Sequence, residues 1–151
     1  MKMIDSALLE RLTKEAEADG VVQLVVGAVV EDEGKVLLLK RPADDFMGGI
    51  FELPSGKVEQ GEDLKTALAR EVEEETGLQV TVATAYLGSF DYTSGSGKKS
   101  RQFNFVVVVD APEPVVLQEH DEYRWAPIED ELPVTDAVRA VFETYRLHSQ
   151  G

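Results

Sequence analysis

The chain has 151 residues, 43% apolar and 29% charged, which is an ordinary composition for one globular domain. It has no cysteine, so a disulfide scaffold, a thiol nucleophile and cysteine-ligated metals are excluded, and His120 and His148 alone cannot build a multi-histidine centre. With 15 Lys+Arg against 29 Asp+Glu, the net charge of −14 repels nucleic-acid phosphates and anionic membranes. Neither is expected as a partner, whereas a small phosphorylated ligand is compatible if metal ions screen it.

Ile4, Leu8 and Leu12 recur at helical spacing, so residues 3–18 read as a helix that Asp19-Gly20 ends. Val21–Val30 is a near-continuous apolar run, as expected of a strand buried on both faces. It is also the longest apolar stretch, contains Gln23, and is too short to span a bilayer. The segment MKMIDSALLERL lacks the apolar core and cleavage site of a secretory signal, so a cytoplasmic location is expected.

After a turn at 31–34, Lys35–Lys40 reads as a second strand, forming a hairpin with the first. Residues 41–62 are rich in Gly and Pro, and a connection of that length tends to be functional. Asp63–Thr76 is the clearest helix, closed by Gly77. Leu78–Phe90 and Gln102–Asp110 read as strands around a polar, mobile loop, YTSGSGKKS. Glu122–Ala126 is a short strand and Thr135–Leu147 a closing helix. Strands and helices mix without strict alternation, so the expected class is α/β, a mixed sheet with helices packed on it.

The helix at 63–76 breaks its own pattern. At about 100° per residue, Ala67, Leu68 and Val72 fall within roughly 80° of Leu64 and define the core-facing stripe. Glu71 and Glu75 lie within about 20° of Leu64 and Glu74 within about 80°, whereas Glu73 is about 180° away. Carboxylates that continue a buried stripe must be paired, coordinated or protonated. A hard divalent cation such as Mg²⁺ satisfies them. The competing reading is a solvated acidic turn, the usual state of a glutamate run.

Residues 56–78 read Gly56, five residues, Glu62, seven residues, Arg70-Glu71-Val72, one residue, Glu74-Glu75, one residue, Gly77-Leu78. This resembles the complete Nudix box of the Nudix hydrolases, in particular the MutT-type branch, whose lead-in FELPSGKVEQGE is similar. The resemblance covers about residues 21–147 and implies the Nudix α/β/α sandwich with a mixed sheet. Residues 1–19 are then an N-terminal helical extension and 20–151 the hydrolase domain.

The resemblance implies a hydrolase acting on acid anhydrides, with Mg²⁺ or Mn²⁺ on the pyrophosphate of a nucleotide. It implies Glu74 and Glu75 as metal ligands, Glu71 as a further ligand or the general base, and Arg70 as the group orienting the acidic cluster, with Glu62 as its partner. A carbonyl of Ser55 or Gly56 is the implied loop ligand, although Pro54-Ser55-Gly56 stands where many relatives have Gly-Gly before the helix. Outside the box, Arg41 is implied to contact phosphates. Glu119, six residues before Trp125, is implied to complete the metal site, with Glu122 competing. Glu52 is implied to lie near substrate. Asp136 is implied to face the base edge, although a carboxylate at a helix N-terminus is also favoured by the dipole alone.

Other residues carry two readings. Trp125 is core or a stacking platform. His120 is an acid–base group or a solvated loop histidine. Phe46 and Met47 pack on a base or cover the sheet. Lys98, Lys99 and Arg101 reach phosphate or solubilise a hairpin tip.

The resemblance favours a nucleoside triphosphate pyrophosphohydrolase releasing a monophosphate and pyrophosphate, as a monomer or homodimer. The alternative is a pyrophosphatase of ADP-ribose, a nucleotide sugar or a dinucleoside polyphosphate. The first proline after Gly77 is Pro112, which argues against ADP-ribose, while Tyr92 keeps dinucleoside polyphosphates open. A nucleotide-sensing module without activity is the non-enzyme alternative, and retention of every box glutamate argues against it.

Overall fold

The computed structural model describes residues 4–44, 48–128 and 132–150. Phe46 and Met47 lie outside the described residues. Among the described residues, three helices, α1 (Ser6–Ala18), α2 (Leu64–Thr76) and α3 (Asp136–Gln150), accompany seven strands. The strands are β1 (Gln23–Asp32), β2 (Lys35–Lys40), β3 (Phe51–Glu52), β4 (Ser55–Lys57), β5 (Val80–Thr93), β6 (Lys99–Val109) and β7 (Glu122–Pro127). None of the described helices is long and apolar enough to cross a membrane.

Strand β1 organises the sheet. It runs parallel to β6 from Gln23 to Val30 and antiparallel to β4 at Val25–Gly27, and its far end turns into the hairpin with β2. Strand β2 continues to β7 on one side and β3 on the other, while β5 closes the opposite edge on β6. The apolar run of β1 is buried because helices cover both faces. Val26, Ala28 and Val30 join Phe103, Phe105 and Val107 of β6 under α1 and α2. Val29 and Val106 point the other way, toward Val138, Val141 and Tyr145 of α3. The result is the mixed α/β/α sandwich.

Helix α2 forms where its caps dictate. Asp63 accepts from the Thr66 amide at 2.7 Å, and Gly77, at φ 76°, donates back to the Glu73 carbonyl at 2.8 Å. Leu64, Ala67, Leu68 and Val72 are buried, as the wheel requires.

Two segments differ from the sequence reading. The polar stretch after Phe90 is mostly paired strand: Asp91 lies opposite Arg101 and Thr93 opposite Lys99, leaving a short turn at 94–98. Arg101 explains the extension, since its Nε donates to Asp91 at 2.6 Å and its Nη2 to Asp19 at 3.0 Å. Those bonds, and the Lys99 bond to the Asp19 carbonyl at 2.6 Å, engage these cations away from any phosphate role. The long 41–62 connection also contains β3 and β4. Strand β4 places Ser55 and Gly56 directly against the central strand, beside α2.

Candidate active site

The acidic face of α2 opens onto a cleft of about 920 Å³, walled by Ser55 and Gly56 of β4, Arg70, Glu71 and Glu73–Glu75 of α2, and Gln118-Glu119 of the loop before β7. Glu71 and Glu75 are 14% and 18% exposed, so both carboxylates do interrupt the buried stripe. Glu74 does not: at 58% exposed it stands on the rim, because its place on the wheel lies at the edge of the stripe.

Arg70 organises the cluster. Its Nε and Nη2 donate to the two oxygens of Glu62 at 2.7 and 2.8 Å, a bidentate pair. Its Nη1 donates to Glu71 at 2.7 Å and Glu74 at 3.2 Å, and Nη2 also reaches the Lys57 carbonyl at 3.0 Å. The guanidinium hydrogen bonds hold the Glu62 pKa down to about 2.

Glu71 and Glu75 both shift the other way from Glu62. Burial raises Glu71 despite Arg70. Burial pushes Glu75 to about 7, although the Ser55 amide donates to it at 2.7 Å. Gly56 is required here, because a Cβ at that position would overlap the Glu71 carboxyl.

Behind Glu75 lies a second layer that sequence reasoning undervalued. Glu52 accepts from Arg41 Nε at 2.8 Å and from His120 Nε2 at 2.6 Å. Burial alone would raise Glu52, but these two bonds outweigh it and hold its pKa below the ordinary value. His120 is only 7% exposed and is no solvated loop residue. Its Nδ1 is buried without a hydrogen-bond partner, 3.9 Å from a Glu75 oxygen. Glu52 and His120 are far apart in sequence, so only the tertiary fold reveals the pair.

A second cavity, of about 620 Å³, adjoins the cleft at Ser55 and Gly56. Arg41, Glu52, Phe90, Tyr92 and Gln102 are among its walls. Asp136 is not among them. Its side chain stands fully in solvent, 3.5 Å from Arg139, because Thr135, Ala137 and Val138 take the inward positions at the start of α3. The structure does not bring Asp136 into this cavity. Glu122 pairs with Lys40 at 3.2 Å and leaves the cleft to Glu119. Trp125 packs against the core, with Nε1 donating to Glu113 at 3.2 Å.

The donor chemistry of the cleft suits a hard divalent cation: all its charged acceptors are carboxylates, and burial leaves two of them short of compensating charge. Among the described residues, no three acidic or histidine side chains already converge as a cage. Arg70 occupies Glu71 and Glu74 instead.

Comparison with known proteins agrees with this architecture. The NUDIX domain model matches residues 21–146. The CTP pyrophosphohydrolase of Escherichia coli (strain K12) is 47% identical over 58 residues, 38% of this chain and 43% of that protein. The 8-oxo-dGTP diphosphatase of Proteus vulgaris is 36% identical over 63 residues, 42% of this chain and 56% of that protein. The ADP-ribose pyrophosphatase of Methanocaldococcus jannaschii is 46% identical over 55 residues, 36% of this chain and 32% of that protein. The matched stretch thus spans between 32% and 56% of these relatives' lengths. Among solved structures, the MutT protein from Methanosarcina mazei Go1 superposes with a TM-score of 0.72 at 32% identity, covering 85% of this chain and 96% of that one. The chain belongs to the Nudix hydrolase family.

Proposed function

We propose that the chain is a divalent-metal-dependent pyrophosphohydrolase that cleaves a nucleoside triphosphate to a monophosphate and pyrophosphate, with Mg²⁺ as the metal and Mn²⁺ able to replace it. One observation carries the reading. Two sequestered carboxylates, Glu71 and Glu75, face a cleft that runs at Ser55–Gly56 into a second, aromatic-walled cavity. Phosphates fit the first chamber and a nucleoside the second. The similarity to a CTP pyrophosphohydrolase and an 8-oxo-dGTP diphosphatase supports triphosphates as the substrate class.

Glu71, Glu74 and Glu75 would hold the metal, with Glu119 across the cleft and a carbonyl of Ser55 or Gly56 from β4. When bound, the cation would neutralise polyphosphate charge and stabilise the leaving group. The protein supplies the rest. Arg70 holds Glu62 and orients Glu71. The Ser55 amide fixes Glu75. Arg41, anchored by Glu52, lines the second chamber and orients the phosphate chain from there. The attacking water gives its proton to a carboxylate oxygen of Glu71 or Glu75.

The test is a panel of nucleotides with Mg²⁺, resolved by product identity. Monophosphate and pyrophosphate from triphosphates are expected. Turnover confined to ADP-ribose, nucleotide sugars or dinucleoside polyphosphates overturns the substrate class, and binding without turnover overturns the activity.

A further inference from the structure

A relay of amides lies beside the second cavity, and neither the acidic box nor the phosphate chamber uses it. Asn104 on β6 is fully buried. Its Nδ2 donates to the Gly88 carbonyl at 3.1 Å. A backbone carbonyl can only accept, so Asn104 must present Nδ2 on that side and Oδ1 on the other. Gln102 must then donate, and its Nε2 lies 2.9 Å from Asn104 Oδ1. The orientation of the Gln102 amide is thus dictated by a backbone group two residues of relay away. What remains of that amide is Oε1, an acceptor that no donor satisfies among the described residues, and the second Nε2 hydrogen, so the positions of its acceptor and donor are both set.

The surrounding backbone is shaped around this relay. Gly27 of β1 lies opposite Asn104 in the parallel register, and a Cβ there would overlap both Gln102 Nε2 and Asn104 Oδ1. Gly88 sits at φ 93°, within the irregularity between Tyr86 and Ser89 where β5 loses its simple register with β6. An L side chain rarely adopts that conformation, and the kink accompanies the carbonyl bond to Asn104. Gln102 itself is 8% exposed and lines the cavity, along with Phe90 and Tyr92, whose ring centroids are 6.1 Å apart.

A fixed, nearly buried acceptor beside aromatic rings is suited to a planar ligand that offers an N–H. Cytosine and adenine carry an exocyclic amine on their pairing edge. Uracil and thymine place a carbonyl oxygen there and carry their N–H on N3 instead, so the pattern that meets an amide of fixed orientation is reversed. We infer that Gln102 is a specificity-determining residue that reads an exocyclic amino group of the base and favours cytosine over uracil nucleotides. Asn104 is the positioning residue that holds Gln102 in that orientation. The inference rests on the nucleotide reading given above and names the base class for the same site.

CTP and UTP form the decisive pair, because sugar and phosphates are the same and only the 4-substituent and the N3 proton of the ring are exchanged. The wild-type enzyme with Mg²⁺ is expected to favour CTP by at least about tenfold in kcat/KM. The ratio should collapse toward one in Gln102→Met, which keeps the length but removes the acceptor. It should fall partway in Asn104→Ala, which leaves Gln102 in place but free to rotate. Calorimetric titration of the metal-free protein with CMP and UMP gives the same comparison without turnover. Equal kcat/KM for CTP and UTP with intact triphosphate hydrolysis overturns the inference and leaves the activity standing. So does a preference for CTP that survives in folded Gln102→Met. If no triphosphate is hydrolysed, the activity reading falls, and equal binding of CMP and UMP then overturns the inference as well.

Discussion

His120 joins Glu52 through a 2.6 Å contact from Nε2, while its Nδ1 faces Glu75 across 3.9 Å. The imidazole therefore links two carboxylates that hold opposite charge preferences: Glu52 is held ionised, and Glu75 is pushed toward its neutral form. Burial alone would lower the His120 pKa, but the bond and charge of Glu52 raise it above the ordinary value. His120→Phe removes this link and leaves Glu52 with Arg41 alone. Hydrogen bonds to charged groups contribute roughly 1.5–3 kcal/mol, so kcat/KM should fall by about 10- to 100-fold. Steady-state kinetics on the preferred triphosphate checks this, and a variant as active as wild type would show that Glu52 needs no histidine.

Glu75→Gln should separate stability from activity. In the metal-free protein the folded-state pKa of Glu75 lies near 7, above its ordinary 4.5, because burial dominates over the Ser55 amide, while Glu71 and Glu52 also face it. A raised carboxyl pKa means the folded state binds the extra proton. The resulting penalty is absent below about 4.5, grows as pH rises, and is complete above about 7. It is on the order of 3 kcal/mol. Glutamine removes it, so the melting temperature at pH 8 should rise by about 5 °C or more, with little change at pH 4. Activity should fall by at least about two orders of magnitude. A melting temperature at pH 8 no higher than wild type would contradict the burial argument.

Metal addition gives a readout without turnover. Mg²⁺ at pH 8 should stabilise the chelator-treated wild type, as any ligand of the folded state does, by about 2.7 kcal/mol at a hundredfold excess over Kd, and so raise its melting temperature. The shift should vanish in the Glu71→Gln, Glu75→Gln double variant. Differential scanning fluorimetry checks both arms, and an equal shift in the two proteins would place the cation elsewhere.

Arg70→Lys tests geometry rather than charge. Lysine keeps the charge but cannot form the bidentate pair with Glu62 while also reaching Glu71 and the Lys57 carbonyl. Breaking this pair should lower the melting temperature and reduce kcat more than it raises KM. The Glu62 contribution is fully present above the ordinary carboxyl pKa of 4.5 and is lost as pH falls toward about 2. Acid unfolding should therefore begin at higher pH in the variant.

Asp136→Ala should change neither rate nor base preference, since its carboxylate stands in solvent outside the nucleoside cavity. Parallel CTP and UTP kinetics on this variant provide the contrast to Gln102. A shifted substrate profile would return Asp136 to the site.

The local sequence determined a good deal. Helix α2 was legible from Asp63, Gly77 and the spacing of Leu64, Ala67, Leu68 and Val72, because caps and periodicity act within a few residues. The same wheel exposed Glu71 and Glu75 as carboxylates in core positions. The burial of the middle of β1 followed from its near-continuous apolar run. Only the tertiary structure decided what faces those groups. Glu74 and Glu71 differ in exposure through their place at the edge or centre of one packed face. His120 meets Glu52 only because β3 and the loop before β7 both lie against β2. Gln102 acquires a direction only because Gly27 and Gly88, on two different strands, leave room and supply a carbonyl. Hydrogen bonds and ion pairs depend on distances of a few ångströms between residues far apart in the chain, and no pattern along a single strand or helix encodes them.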